Sequence, residues 1–508
     1  MELSSLFRRK SLDVLMAQGG DEATGLKKTL TVVDLISLGI GAIIGAGIFA
    51  TLGSATSGGA GEAPAGPGVA VSILLTAIAC GFCALCYAEF ASLVPVAGSA
   101  YTYSYATLGE LVAWIIGWDL ILEYAVGNIA VAISWAAYFR QLMLGLGVNI
   151  PPWLCSDWRS ASLAAAAVKD AGVDSLGPEA GVAYQAFLNH PTILGLPIVC
   201  NVLAVVITAL ITWLLVVGVK ESARVNNVIV VLKLLTLFFF IAVGAFHVNQ
   251  ANFHPFFPGG FAGVWRGASL IFFAYIGFDA ISTAAEECED AGRDMPRGII
   301  GSLLICTVLY VLTALVLCGM VPYTKLVGVA DPLALALAYV KQGWAAGILA
   351  FGAVVAMTAV LLVFQLGQPR ILMAMSRDGL LGPWFGKIHP VYRTPHVTTI
   401  LTGVFVAFFS AVANIDVIVE LTNIGTLFAF VLVALGIIIL RYREPDRPRK
   451  FRVPFVPWTP VIGILACLFL MSGLPKMTWI RFGLWLVAGL VIYFTYSRGR
   501  SRVGSAAA

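Results

Sequence analysis

The chain has 508 residues, of which 59% are hydrophobic and only 11% are charged, with a net charge of +4 and a mean hydropathy of +0.92. A soluble domain has about 25% charged residues, so this composition excludes a soluble protein and indicates one that is embedded in a bilayer. The apolar runs are continuous and do not alternate with polar residues, which excludes a porin-type barrel and predicts an all-α integral membrane protein.

Twelve apolar segments are long enough to cross a bilayer, and we number them as spans 1 to 12. The predicted spans are Val33–Thr51, Val69–Val94, Leu108–Leu144, Ile193–Val216, Val228–Phe246, Val264–Ala285, Ile299–Met320, Ala345–Met373, Val397–Ala413, Ile418–Leu440, Val461–Leu474 and Phe482–Tyr496. We expect a single helical domain over residues 31–500, an N-terminal segment over 1–30 and a tail over 501–508.

Basic residues cluster on one face of the twelve-span arrangement. They comprise Lys27, Lys28, Arg293, Arg297, Arg377, Lys387, Arg393, six basic residues between Arg441 and Arg452, and Arg498, Arg500 and Arg502. Cytoplasmic loops of membrane proteins carry an excess of Lys and Arg. We therefore expect both termini to be cytoplasmic, and we interpret the clusters as topology signals without a nucleic-acid partner.

Span 1 contains four glycines within nine residues, at Gly39, Gly41, Gly45 and Gly47. Each costs a helix about 1 kcal/mol relative to alanine. Glycines on a single face would indicate close helix packing. These four are spread over more than one face, and so we predict an interruption of the helix.

Span 6 has the same character, because Gly277 interrupts it and is followed by the acid Asp279. Interrupted helices at matching places in two halves of a chain are typical of transporters built from inverted repeats. An amino acid zwitterion suits such a site. Its carboxylate accepts hydrogen bonds at the amino end of a half-helix, and its ammonium binds carbonyls that the second interruption leaves free.

The loop between spans 3 and 4, Gly147–Pro191, is the longest external loop. Its stretch Ala161–Val168 predicts a short surface helix, and Cys155 is the cysteine that we place in this loop. We assign the loop no function.

Lys233 lies within the apolar span 5. Ionisable groups at membrane depth are functional candidates, and a lysine among apolar side chains can gain and lose a proton near neutral pH. The alternative is a lysine that extends to the membrane interface.

Asp119 and Glu123 lie one turn apart on span 3. Glu123 either takes part in a proton relay or caps a polar pocket, and the sequence leaves both open.

Several motifs resemble those of the amino acid–polyamine–organocation superfamily. They are the glycine-rich Gly41–Phe49, the triplet Tyr87–Glu89, the stretch Pro95–Tyr103 and the segment Tyr275–Asp279. The segment Ala374–Leu381 narrows the resemblance to the cationic amino acid transporter family, in its bacterial branch.

This resemblance implies the leucine-transporter fold, with two inverted five-helix repeats over residues 33–246 and 264–440 and two accessory helices over 461–496. It implies that the substrate carboxylate meets the backbone at Ile43, Ala46 and Gly47. It implies that the ammonium meets carbonyls at Phe273, Ala274 and Ile276, with Phe273 covering the substrate. Met357 matches a position that tunes the side-chain pocket. Lys233, Thr51 and Glu123 match residues of proton coupling.

The function that we expect is a proton-coupled symporter of small neutral or broad-range L-amino acids in the bacterial inner membrane. An arginine and lysine transporter and an amino acid exchanger are the alternatives. We expect no enzymatic activity, no metal and no cofactor, with protons as the coupling ion. A channel would need repeated polar rings, which the sequence lacks. A small single-span membrane subunit is compatible with the sequence, which does not identify one.

Overall fold

The protein is described here from a computed structural model, which describes residues 8–10, 30–58, 62–93, 99–171, 178–193, 196–218, 223–288 and 290–502. Lys27, Lys28, the motif residues 94–98 and most of the predicted end segments lie outside this part of the chain. Within it, eight helices are long and apolar enough to cross a membrane, a bent pair forms a ninth span, and three shorter apolar helices complete the set. These segments follow the twelve predicted spans in order.

The observed spans are as follows. Spans 1 to 6 are Val32–Ile43 with Gly47–Thr51 and Leu52–Ser57, Val69–Leu93, Glu110–Ile121 with Leu122–Val126 and Gly127–Gly145, Val202–Val217, Ala223–Ala245, and Gly260–Ile271 with Phe272–Tyr275 and Asp279–Glu287. Spans 7 to 12 are Ala291–Met320, Gly343–Arg377, His396–Val412, Ile415–Arg443, Trp458–Ser472, and Lys476–Ile492 with Tyr493–Ser497. Connecting helices are Ser99–Thr107, Trp158–Ala171, Pro178–Asn189 and Pro332–Tyr339.

Span 4 begins later than predicted. Its helix starts at Val202, and the strands Thr192–Ile193 and Leu196–Pro197 form an antiparallel pair before it. The Asn201 side chain caps the helix by accepting a hydrogen bond from the Ala204 N–H at 3.1 Å. The prediction from Ile193 was wrong because apolar composition alone does not show where a capping side chain starts the helix.

The external loop folds as a small helical unit. The predicted surface helix is confirmed as Trp158–Ala171, which packs with Pro178–Asn189 around Ala161 and Ala186. Cys200, which the prediction placed inside span 4, precedes the span 4 helix and so joins Cys155 in the connecting segment. The Cys200 N–H donates to the Trp153 carbonyl at 3.0 Å.

The predicted interruptions of spans 1 and 6 are confirmed. The first break comprises residues 44–46, across which span 1 bends by 41°. The second break comprises residues 276–278, where Ile276 is extended and Gly277 has a φ of +112°. That φ favours glycine, because a side chain is strained there.

Glu89 anchors the basic end of the helix bundle. Its fully buried carboxylate accepts hydrogen bonds from Arg441 Nε at 2.8 Å and Arg441 Nη2 at 2.7 Å, and forms an ion pair with Arg449 at 3.1 Å. The Val453 N–H donates to it at 2.7 Å. Bidentate, charge-assisted contacts of this kind are the strong ones, and they join span 2 to span 10 and to the segment that follows span 10.

We predict that Glu89→Gln destabilises the protein by roughly 3 kcal/mol, because it leaves buried guanidinium groups without a compensating charge. The measurement is the melting temperature of the purified protein in detergent. Glu444→Gln is the matched control, since Glu444 pairs with Arg447 at 2.9 Å with 42% of its side chain exposed. Its loss costs about 0.5 kcal/mol or less. Equal melting temperatures for the two variants would contradict this role for Glu89.

Candidate functional site

The two breaks lie against each other at the centre of the bundle. A Cβ atom at Gly47 would collide with the backbone of Ala274, and one at Gly277 would lie 2.9 Å from the Ala42 carbonyl oxygen. A Cβ atom at Gly45 would lie 2.7 Å from Val360 of span 8. Spans 1, 6 and 8 therefore meet where the helices are interrupted.

Not every glycine of span 1 belongs to the first break. Gly39 and Gly41 lie inside the helix Val32–Ile43. A Cβ atom at Gly39 would lie 2.5 Å from Ile281, and one at Gly41 would lie 3.1 Å from Val230. The packing role that we weighed against a break thus applies to these two glycines, while the break itself starts after Ile43.

The carbonyl groups around the first break have specific partners. Lys233 Nζ donates to the Gly41 carbonyl at 2.5 Å and to the Ile44 carbonyl at 3.0 Å. The Tyr310 hydroxyl donates to the Ile43 carbonyl at 3.0 Å. The Thr51 hydroxyl donates to the Gly47 carbonyl at 2.5 Å. Unwound backbone at membrane depth persists only where such partners satisfy it.

The side chain of Lys233 is completely buried, so the interpretation that it extends to the membrane interface was wrong. Its hydrogen-bond acceptors are the two backbone carbonyls. No carboxylate of the described residues forms an ion pair with it. The conformation of the first break therefore satisfies the ammonium group, and the hydrogen bonds of the ammonium group stabilise that conformation.

The predicted substrate residues fall on both breaks and beside them. Ile43, Ala46 and Gly47 are buried at the first break, and Phe273, Ala274 and Ile276 are buried at the second. The contact between Gly47 and Ala274 brings the two sets together. Met357 is buried on span 8, three residues before Val360. Substrate contact by these residues stays a prediction.

Glu123 lies in a buried polar cluster with residues of spans 3, 6 and 10. Its carboxyl group neighbours Asp279 of span 6, Asp119 of span 3 and the Thr426 hydroxyl of span 10. Asp279 is a residue to which sequence reasoning assigned no role, although the motif Tyr275–Asp279 ends on it. The pairing was not visible because it joins helices that are distant in sequence. The choice between a proton relay and a pocket cap stays open.

Arg266, on the first half of span 6, binds two carboxylates from other segments of the bundle. Its guanidinium group donates to Glu62 at 2.6 Å and to Glu420 of span 10 at 2.5 Å. The Thr478 hydroxyl donates to the second Glu420 oxygen at 2.7 Å. The half-helix Gly260–Ile271 is thereby tied to spans 10 and 12.

Comparison with known proteins identifies the family to which the chain belongs. The model of the amino acid permease family matches residues 30–495, and so the chain belongs to that family, within the amino acid–polyamine–organocation superfamily, with the leucine-transporter fold. This membership indicates a multi-pass membrane transporter rather than an enzyme.

Individual relatives cover nearly the whole chain. It is 46% identical to the branched-chain amino acid permease BcaP of Bacillus subtilis over 500 residues, which is 98% of this chain and 99% of the relative. It is 43% identical to the methylthioribose transporter of the same organism over 499 residues, again 98% and 99%. It is 37% identical to the vacuolar cationic amino acid transporter 4 of Arabidopsis thaliana over 453 residues, covering 87% of this chain and 68% of the relative.

We predict that Gly47→Ala lowers transport roughly tenfold or more, because the added methyl group forces the two breaks apart at a cost of about 1–3 kcal/mol. The measurement is uptake per folded transporter in proteoliposomes. Gly81→Ala is the matched control, since Gly81 is also mid-span and a Cβ atom there meets nothing within 4 Å. Normal uptake by Gly47→Ala would show that the contact with Ala274 is dispensable.

Proposed function

We propose that this protein is a proton-coupled L-amino acid symporter that works by alternating access and favours small neutral amino acids or a broad range of them. The observation that carries the proposal is the buried Lys233 ammonium, bound to the Gly41 and Ile44 carbonyls at the first break. It places a group that can carry a proton in direct contact with the backbone at which substrate is predicted to bind.

In this proposal the two breaks bind the two charged ends of the substrate. The half-helix that begins at Gly47 presents amides without acceptors in the helix and the positive end of its dipole, which suit a carboxylate. The second break, whose Ala274 contacts Gly47, would offer the carbonyls of Phe273, Ala274 and Ile276 to the ammonium group. Neither end requires a charged side chain, which is typical of sites built from interrupted helices.

Protonation of Lys233 then controls the geometry of span 1. The charged form donates to two carbonyls on either side of the helix end at Ile43. The neutral amine binds the same carbonyls more weakly, because charge-assisted hydrogen bonds are about twice as strong as neutral ones. Loss of the proton releases the first half of span 1 and shifts the population between conformations. Thr51 stabilises the second half through the Gly47 carbonyl.

Substrate range follows the side-chain pocket, for which we propose Phe273 and Met357 as lining residues. The name of the relative that is 46% identical supports branched aliphatic side chains. The carboxyl groups of Glu123 and Asp279 favour the second candidate function, transport of arginine or lysine, and the plant relative is named a cationic amino acid transporter. Transport of methylthioribose, named for another relative, is an outcome that the assay below tests.

We place the protein in the bacterial inner membrane with both termini cytoplasmic. The Glu110 N–H donates to the Arg8 carbonyl at 2.9 Å, and the Ser501 hydroxyl donates to the Glu110 carboxylate at 2.5 Å. Residues near both chain ends thus contact span 3 at the same face. The basic clusters make that face the cytoplasmic one. A single-span subunit stays a prediction.

The deciding experiment is uptake by the purified full chain in sodium-free proteoliposomes with an imposed inward proton gradient. Radiolabelled L-alanine, L-leucine, L-arginine and methylthioribose are compared. We expect concentrative uptake of alanine and leucine that a protonophore abolishes. Uptake of arginine alone would favour the cationic transporter, and movement only against preloaded amino acid would favour an exchanger. Uptake that a protonophore does not lower would contradict proton coupling.

We predict that Lys233→Ala abolishes proton-driven accumulation, because the variant has no group that links a proton to the first break. Exchange of labelled for unlabelled substrate without a gradient serves as the second readout and reports on binding. Lys476→Ala is the control, since Lys476 is an exposed lysine at the start of span 12. If the Lys233 variant still concentrates alanine under an acid-outside gradient, this role for Lys233 is wrong.

A further inference from the structure

A basic cavity opens at the start of span 7, apart from the breaks. Its volume is about 540 Å³. Its lining includes the basic residues Arg293, Arg297 and Lys450, and also Pro296, Ile300 and Phe451. Its lining residues belong to span 7 and to the segment after span 10. A Cβ atom at Gly301, which also lines it, would lie 3.2 Å from Ile36.

The described lining of this cavity contains no carboxylate. Lys450 donates to Asp290 at 2.9 Å, and this hydrogen bond lowers the pKa of Asp290, which is therefore ionised. Neither Arg293 nor Arg297 has an ion-pair partner among the described residues. The described lining therefore carries three cations, one of which is paired with Asp290, and guanidinium groups suit phosphate.

An apolar track continues from these cations along the same face of span 7. Arg293 and Arg297 are four residues apart, and Ile300, Leu304 and Val308 follow at helical spacing. These three side chains are 38%, 65% and 53% exposed. From Arg297 to Val308 the helix rises about 16 Å, which is about half of a ~30 Å hydrocarbon core. The track therefore spans one leaflet.

We propose that this cavity binds an anionic phospholipid. Arg293, Arg297 and Lys450 hold its phosphate, and an acyl chain lies along Ile300, Leu304 and Val308. A free phosphate would use the cations but not the exposed apolar track below them, and this continuity favours a lipid. Basic pockets between helices at the cytoplasmic side of membrane proteins have the chemistry that such head groups require.

A lipid bound in this cavity would contact the segment after span 10 and the helix that packs against span 1. Lys450 follows Arg449, which pairs with Glu89 at 3.1 Å. Span 7 also contacts the first half of span 1, because a Cβ atom at Gly298 would lie 2.7 Å from Leu35. A bound head group thus bridges the segment after span 10 and the helix that contacts span 1, beside the half-helix that Lys233 holds.

The test measures lipid binding and does not depend on the proposed transport activity. The full chain, purified in an uncharged detergent, is titrated with dioleoylphosphatidylglycerol, with phosphatidylcholine of the same chains, with dihexanoylphosphatidylglycerol and with inorganic phosphate. Retained lipid is counted by native mass spectrometry, and the melting temperature is followed. The double variant Arg293→Gln with Arg297→Gln is compared with Arg377→Gln with Lys387→Gln, which removes two exposed cations that do not line the cavity.

We expect saturable binding of the long-chain phosphatidylglycerol, weak binding of phosphatidylcholine, and weaker binding of the short-chain anionic lipid. The Arg293 and Arg297 double variant should lose roughly tenfold or more in affinity, whereas the control pair keeps the affinity of the unchanged protein. Equal affinity of the two double variants would overturn the site. Inorganic phosphate that binds as tightly as the lipid, with the same dependence on both arginines, would overturn the assignment to a lipid.

Discussion

The absence of water from the hydrocarbon core is the constraint on which this structure depends. A helix that is interrupted there leaves carbonyl groups that need a partner from the protein or from a bound molecule. At the first break those partners are the Lys233 ammonium, the Tyr310 hydroxyl and the Thr51 hydroxyl. They come from spans 5, 7 and 1, so the interruption organises three helices around itself. The lysine is the member of this set whose hydrogen bonds change when a proton leaves.

The rest of the fold keeps the two breaks in contact. Contact between Gly47 and Ala274 brings the two interrupted helices together without side chains between them. Charged groups with strong partners lie towards the ends of the bundle, where Glu89 is paired with Arg441 and Arg266 with Glu420. Each of these ion pairs joins helices that are distant in sequence.

Family membership and substrate rest on different parts of the molecule. Relatives that are 46% and 43% identical carry the names of a branched-chain amino acid permease and a methylthioribose transporter, and methylthioribose has neither a carboxylate nor an ammonium group. Backbone groups at the breaks suit both ends of a zwitterion but do not read its side chain. Selectivity must therefore come from the side chains that line the pocket, for which we proposed Phe273 and Met357. A few substitutions there would alter the pocket.

The sequence by itself determined the twelve spans, the two interruptions and the family, because in a bilayer continuous apolar runs form spanning helices and mid-span glycines weaken them. It also singled out Lys233 as an ionisable residue in an apolar helix. Only the tertiary structure decided that Lys233 is fully buried against span 1, that Gly39 and Gly41 serve packing, that Asn201 starts span 4, and that Asp279 neighbours Glu123. Most of these contacts join residues that are far apart in sequence, and sequence spacing does not show which of them are close in space. The start of span 4 depends on a capping side chain that hydropathy does not reveal. They arise from the way in which the helices pack.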